Sequence, residues 1–156
     1  MSGFLRVHDI FYSVQGEGLS DGIPALFVRL AGCNLRCPHC DTDFHDARLM
    51  SCEDILNRGL EVCGGSWPTL VVLTGGEPLL QDVDNLVEAL LLQGLRVEIE
   101  TNGTRFRDCC RWRGVLVTVS PKGPVDPRFL YWASAFKIVV RAGEDPFVDG
   151  VLGCKM

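Results

Sequence analysis

The run LVVLTGGEPLLQDVDNLVEALLLQGLRVEIE, from Leu70 to Glu100, decides the fold. Leu70 to Leu73 is a short apolar run of strand length, and Thr74-Gly75-Gly76-Glu77-Pro78 is a turn. From 82 to 93 the apolar residues fall at helical spacing, with Val83, Leu86, Val87, Leu90 and Leu91 on one face. Asp82 suits the N-cap of that helix and Gly94 its C′ stop. Val97 to Glu100 then reads as the next strand. Strand, helix and strand in this order make a βαβ unit, which implies a parallel pair. Working outward, Leu26 to Leu30, Val115 to Val119 and Phe136 to Val140 read as further strands. Residues 52–62 have helical spacing, and 104–112 and 126–134 are candidates for shorter helices. The expected class is α/β with a mostly parallel sheet.

The polar chemistry collects at the ends of these strands. Cys33 to Cys40 follow the first, Thr74 to Pro78 the second, Glu100-Thr101-Asn102-Gly103 the third and Ser120-Pro121-Lys122 the fourth. In parallel α/β folds, the carboxyl ends of the strands are where ligands bind. The cysteines Cys33, Cys37 and Cys40 have C-x3-C-x2-C spacing. Three thiolates can hold three corners of an iron–sulfur cubane and leave one iron open, whereas electron-carrier clusters are normally closed by four cysteines. Two other readings stand beside this one. Cys37-Pro38-His39-Cys40 has the C-x-x-C form of a redox dithiol. The loop could also be a zinc site completed by a distant ligand, His45 or one of Cys52, Cys63, Cys109, Cys110 and Cys154.

Bulk properties narrow the class. A chain of 156 residues with 47% hydrophobic and 22% charged residues is one ordinary globular domain, 1–156. A domain of this size buries about 70% of its unfolded surface, enough for a real core. A net charge of −5 and a pI near 5.1 argue against nucleic acid as a direct partner. No basic segment followed by an apolar run opens the chain, and no stretch reaches the length of a membrane span, so neither a signal peptide nor membrane association is expected. Eight cysteines in such a chain are expected as reduced thiols in a cytoplasm rather than as disulfides.

The cysteine loop, with Gly75-Gly76-Glu77-Pro78 one βα unit later, resembles the radical S-adenosylmethionine superfamily. That resemblance implies a partial (β/α) barrel, a 4Fe–4S cluster on Cys33, Cys37 and Cys40, and S-adenosylmethionine chelating the open iron. Reductive cleavage of the cofactor gives the radical that abstracts a substrate hydrogen atom. In the GGEP turn, two glycines would let backbone approach a ligand closely, and Glu77 would accept a hydrogen bond from the cofactor's ammonium group. Phe11-Tyr12-Ser13-Val14-Gln15-Gly16-Glu17-Gly18, Cys40-Asp41-Thr42, Glu100 to Gly103 and Ser120 to Lys122 resemble, together, the 7-carboxy-7-deazaguanine synthase family. Members convert 6-carboxy-5,6,7,8-tetrahydropterin to 7-carboxy-7-deazaguanine with loss of ammonia, in queuosine and deazapurine biosynthesis.

By this resemblance Val14, Gln15, Gly16, Arg29 and Thr74 would bind the pterin, with Arg29 on its carboxylate. An arginine inside an apolar strand fits such a role, because a buried guanidinium is costly unless paired and its forked donors match a carboxylate. An internal ion pair with Glu17 or Glu100 would serve the arginine equally. Thr42 would bind Mg²⁺ beside the substrate, or merely cap the turn after Asp41. His39, Cys40, Asp41, Gly76, Ser120, Pro121 and Lys122 would lie against S-adenosylmethionine. Glu100 would be the catalytic carboxylate, moving a proton or orienting a ring amine. His39 and His45 have no catalytic role in this scheme. An electron donor such as flavodoxin and a homodimer are also implied.

The resemblance runs from about residue 4 to 140. Arg141 to Met156 reads as turn and coil, and the final barrel strand of the family has no counterpart there. The chain is then a compact variant whose site is closed by a partner chain, or a truncated one. Alternatives to the synthase reading are a thiol–disulfide oxidoreductase using Cys37 and Cys40, another small radical enzyme such as a reductase activase, and an inactive truncated relative.

Overall fold

A computed structural model of the protein describes residues 3–38, 40 and 46–139. Seven strands form one open sheet in the order β3-β1-β2-β4-β5-β6-β7. They are β1 (Leu5–Val14), β2 (Pro24–Leu30), β3 (Arg48–Met50), β4 (Leu70–Gly75), β5 (Arg96–Thr101), β6 (Val115–Val119) and β7 (Ala135–Phe136). From β2 to β7 all neighbours are parallel, while β1 runs antiparallel to both β2 and β3. The helices are α1 (Cys52–Val62), α2 (Asp84–Leu92) and a single turn, α3 (Phe129–Trp132). This is the expected α/β partial barrel, mostly parallel and unclosed. Among the described residues no helix is long and apolar enough to cross a membrane.

Period-two alternation sorts each parallel strand into two faces. Leu26, Val28 and Leu30, Val71 and Leu73, Val97 and Ile99, and Val117 and Val119 pack with Ile55, Leu86, Val87, Leu90 and Phe129 of the helices. Full burial of each such side chain is worth about 1.5–3 kcal/mol, so this layer holds the sheet and helices together. The opposite, inward face has a smaller apolar floor of Ala25, Phe27, Leu70 and Val72, joined by Phe11 and Ile23. Phe11 and Phe27 stack there with ring centroids 5.0 Å apart. Above that floor, toward the carboxyl ends of the strands, the register sets Arg29 beside Thr74 and Glu100 beside Thr118. The inward face therefore changes from apolar to polar along the strands.

Several boundaries differ from the sequence reading. β1 was not expected as a strand; its register shifts between Val7 and Asp9, and that irregularity breaks the alternation that would mark it. β3 has only three residues, too few for a pattern. α2 starts at Asp84 with Val83 at its N-cap position and no side-chain cap. Asp82 is not the cap, because its carboxylate is taken by Arg107 at 2.9 Å. Gly94 does stop the helix, at φ +78° with its N–H on Leu91 O. In 104–112 the structure holds only a 3₁₀ turn, Asp108–Arg111. β7 is shorter than expected, although Lys137 N–H still reaches Val119 O at 2.8 Å. Val140 and the whole segment 141–156 lie outside the described residues.

Candidate active site

The loops after β2, β4, β5 and β6 meet at one edge, and backbone geometry shows why two glycines stand where β4 ends. Gly75 has φ +129°, and a Cβ there would stand 2.1 Å from Leu30 O. A Cβ on Gly76 would stand 2.1 Å from Gly32 O and 3.1 Å from Cys33 Cβ. Gly76 N–H bonds Leu30 O at 3.1 Å and Glu77 N–H bonds Gly32 O at 2.9 Å. The close approach these glycines permit is one between two protein backbones. They seat the start of the cysteine loop against the end of β4. Gly76 itself stays half-exposed.

Glu77 requires a correction. Its side chain is fully buried and accepts hydrogen bonds from Leu79 N at 3.0 Å, Thr101 Oγ1 at 2.8 Å and Asn102 N at 2.7 Å. Such a carboxylate has no exposed face for a cofactor ammonium; it staples the β4 loop to the end of β5. Burial pushes its carboxyl above the ordinary glutamate value, against the pull of the three donors. The native state then holds this proton more tightly than the unfolded chain. The associated stability is full below the ordinary glutamate range and is lost as pH rises through the raised native value. Glu77→Gln should remove that slope. It should also lower stability by about 1–3 kcal/mol, because an amide NH₂ must face one of three donors. Thermal melts at a series of pH values test both, and a variant as stable and as pH-dependent as the native protein would refute this role.

A second cluster lies on the inward face. Glu100 accepts from Gln15 Nε2 at 2.9 Å and from Thr74 Oγ1 at 2.7 Å. Gln15 is buried, and its backbone N–H and C=O are fixed by Ile23 O and Gly22 N. The loop joining β1 to β2 thereby crosses the inward face. Its Gly18, at φ +68°, lies so close to β5 and β6 that a Cβ would be 3.0 Å from Thr118 Oγ1 and 3.1 Å from Glu98 Oε1. Its Glu17 pairs with Lys137. Val14 and Gly16, on either side of Gln15, are exposed.

Arg29 adjoins this cluster through its register partner Thr74. Its guanidinium carbon lies 5.4 Å from the Phe11 ring centroid, and its buried Nε has no hydrogen-bond partner. Neither acid named for an internal ion pair takes it, since Glu17 holds Lys137 and Glu100 holds Gln15 and Thr74. Arg29 is therefore a half-buried cation, stacked on an aromatic ring, with donors to spare for an anion. Glu98, unremarked in the sequence, points the same way two residues before Glu100. It accepts from Thr118 Oγ1 at 2.7 Å while its buried Oε2 has no partner. The E-x-E alternation on a strand was the signal for it.

In the cysteine loop Cys33 and Cys37 are half-buried and Cys40 is exposed, and none of the three is in a disulfide. Cys33 Sγ accepts from Leu35 N at 3.4 Å. Burial raises its thiol's pKa, and the nearby charges of Glu77, Cys37 and Cys40 add to that rise. Among the described residues no three His, Cys, Asp or Glu side chains are gathered at metal-binding reach. The three thiols thus share one loop without converging on a point. Cys52, Cys63, Cys109 and Cys110 all belong to or pack on the helix-side core, so among the described residues the zinc reading finds no fourth thiol. His39, Asp41, Thr42 and His45 lie outside the described residues, as does Cys154. A set of soft thiolates with N–H groups aimed at sulfur fits an iron–sulfur centre. At the end of β6, Ser120 N–H bonds Thr101 O at 2.7 Å and Lys122 Nζ bonds Ser120 Oγ at 2.6 Å, with Pro121 half-buried between them.

Comparison with known proteins bears on this edge directly. Residues 27–126 match the model of the Radical SAM superfamily. The chain is 47% identical over 155 residues to the 7-carboxy-7-deazaguanine synthase of Rhodospirillum rubrum, covering 94% of this chain and 63% of that protein. It is 43% identical over 122 residues to the synthase of Rickettsia prowazekii, covering 76% of this chain and 51% of that protein. The crystal structure of QueE from Escherichia coli superposes with a TM-score of 0.81 at 30% identity, covering 96% of this chain and 77% of that one. The chain thus spans about half to two thirds of the length of these curated relatives.

Proposed function

The chain belongs to the radical S-adenosylmethionine superfamily and, within it, to the 7-carboxy-7-deazaguanine synthase family, and from that premise we propose that it converts 6-carboxy-5,6,7,8-tetrahydropterin to 7-carboxy-7-deazaguanine with loss of ammonia. The observation that carries this reading is the Gln15–Glu100–Thr74 chain of hydrogen bonds beside the unpaired Arg29. It offers a fixed carboxylate for ring N–H groups and a cation for a ring carboxylate. Cys33, Cys37 and Cys40 hold the 4Fe–4S cluster; Gly76, Ser120, Pro121 and Lys122, with His39, Cys40 and Asp41, hold S-adenosylmethionine. When bound, these groups together supply hydrogen-atom abstraction from the substrate.

The remaining work falls to side chains on the inward face. Arg29 binds the pterin carboxylate, for which its forked donors suit. Gln15 and Thr74 hold Glu100 in one orientation, and substrate N–H groups replace them as donors when the ring enters. Glu100 then takes up or returns the proton that must move as ammonia leaves. Val14 and Gly16 flank the ring with backbone and an exposed apolar side chain. Thr42 contributes a hydroxyl to Mg²⁺. A cytoplasmic setting agrees with the lack of disulfides among the described cysteines. A second copy of the chain and an electron donor such as flavodoxin complete the working assembly.

Anaerobic assay of the iron-loaded, reduced chain with the pterin, S-adenosylmethionine and Mg²⁺ tests the proposal by product identification. Loaded protein that forms no 5′-deoxyadenosine with the pterin present would sink it. Two variants separate the roles. Arg29→Ala should raise KM about tenfold to hundredfold with a smaller change in kcat, as expected for a lost charge-assisted contact. Glu100→Gln should lower kcat about 10²-fold with KM little changed. The reverse assignment of effects would overturn these roles.

A further inference from the structure

One side chain links the cysteine loop to the end of β5, and its orientation can be deduced. Asn102 Oδ1 accepts from Thr104 N at 2.9 Å and from Thr104 Oγ1 at 2.7 Å. A backbone N–H can only donate, so the amide oxygen must face Thr104 and the NH₂ must face the other way. On that side it meets Asn34 Oδ1 at 3.1 Å and Cys33 Sγ at 3.9 Å. Thr104 Oγ1, having given its proton to Asn102, accepts from Asn34 Nδ2 at 2.9 Å. The three side chains form a closed ring with one sense of donation. The backbone N–H of Asn102 bonds buried Glu77 at 2.7 Å, which fixes the main chain from which this side chain extends.

From this geometry we infer that Asn102 is a positioning residue that sets the electron affinity of the cysteine-held centre by aiming its amide N–H at Cys33 Sγ. The inference rests on the functional reading above, because it needs a cluster on Cys33. The contact is long, at the outer limit for a sulfur acceptor. It is the side-chain counterpart of the shorter Leu35 N–H contact at 3.4 Å. Donors aimed at cluster sulfurs stabilise the more negative, reduced state and so raise the potential. The two donors from Thr104 to the amide oxygen keep that N–H on the sulfur, and Asn34 only closes the ring.

The test is a redox titration of the full-length, iron-loaded chain, followed by the electron paramagnetic resonance of the reduced cluster. Asn102→Ala should load iron but become harder to reduce, its reduction equilibrium falling by about tenfold, which is about 59 mV for one electron. Asn34→Ala cuts the ring but leaves the sulfur contact, and should move the potential much less. If Asn102→Ala does not load, Asn102→Ser, which keeps a donor of shorter reach, is titrated with the same expected direction. An unchanged potential in a loaded Asn102 variant overturns the inference alone, as does an equal shift in Asn34→Ala, which would make the ring purely structural. A native chain that takes up no iron instead overturns the functional reading, and this inference with it.

Discussion

Replacing Cys33, Cys37 or Cys40 with alanine should abolish product formation and cluster uptake while leaving the chain folded. Each thiol is on a surface loop, half-buried or exposed, and none belongs to either apolar core. Truncating them opens no core cavity of the kind that costs about 2–5 kcal/mol. On the proposed function, what is lost is one of three ligands to a centre that already has an open iron. Iron should fall well below the native value of about four per chain, and the melting transition should stay within about 2 °C of native, as for a change of less than about 0.5 kcal/mol. Cys52→Ser, outside the loop, serves as the control that keeps its iron. The thiol–disulfide alternative makes the opposite prediction for one variant, because it gives Cys33 no task. A Cys33→Ala protein with full activity would favour the dithiol Cys37 and Cys40 and defeat the cluster reading.

Gly76→Ala should be strongly destabilising for a single added methyl. The added Cβ would stand 2.1 Å from Gly32 O and 2.5 Å from Gly32 C, both backbone atoms that cannot swing aside. Either β4 must part from the cysteine loop or the N–H bonds from Gly76 and Glu77 to Leu30 and Gly32 must break. Overpacking of this kind costs about 1–3 kcal/mol, and more when backbone has to move, so a loss of about 3 kcal/mol is expected. That corresponds to a melting temperature lower by about 6–12 °C for a chain of this size. Iron uptake should fall in the same variant, since Gly32 immediately precedes Cys33. Gly123→Ala provides the control, as its added methyl would meet nothing within 4 Å. A Gly76→Ala protein that melts with the native one would show that the loop packing is not a constraint.

Local pattern carried much of the fold into view. α1 and β6 fall at the bounds expected from their residues, Cys52–Val62 and Val115–Val119, because burial of one face is written directly into their spacing. The βαβ order of β4, α2 and β5 was legible for the same reason, and so was the gathering of polar turns on one edge. What was not legible depends on partners distant in the chain. Asp82 looks like a cap until Arg107 claims it. Glu77 looks like a ligand-binding carboxylate until Thr101 and Asn102 fill it. The internal ion pair offered for Arg29 fails because Lys137, Gln15 and Thr74, all distant in the chain, already engage Glu17 and Glu100. Nothing in the sequence singles out Asn102 beyond its place in a motif, since its role comes from Asn34 and Thr104.

The loop laid across the inward face has a consequence for assembly in time. Gln15 meets Glu100 across 85 residues of sequence, and Glu17 meets Lys137 across 120. Contacts of such separation cannot form early, because the closure entropy of the intervening chain must be met before they return any energy. Thr74 can reach Glu100 once β4 and β5 pair, but Gln15 reaches it only after the first hairpin docks, and Glu17 is held only after Lys137 is in place. A nascent chain released before Lys137 could build most of the sheet yet leave this loop unanchored. The full set of hydrogen bonds around Glu100 and Glu17 is thus a late product of folding, complete only when the first loop and the last strand are both in place.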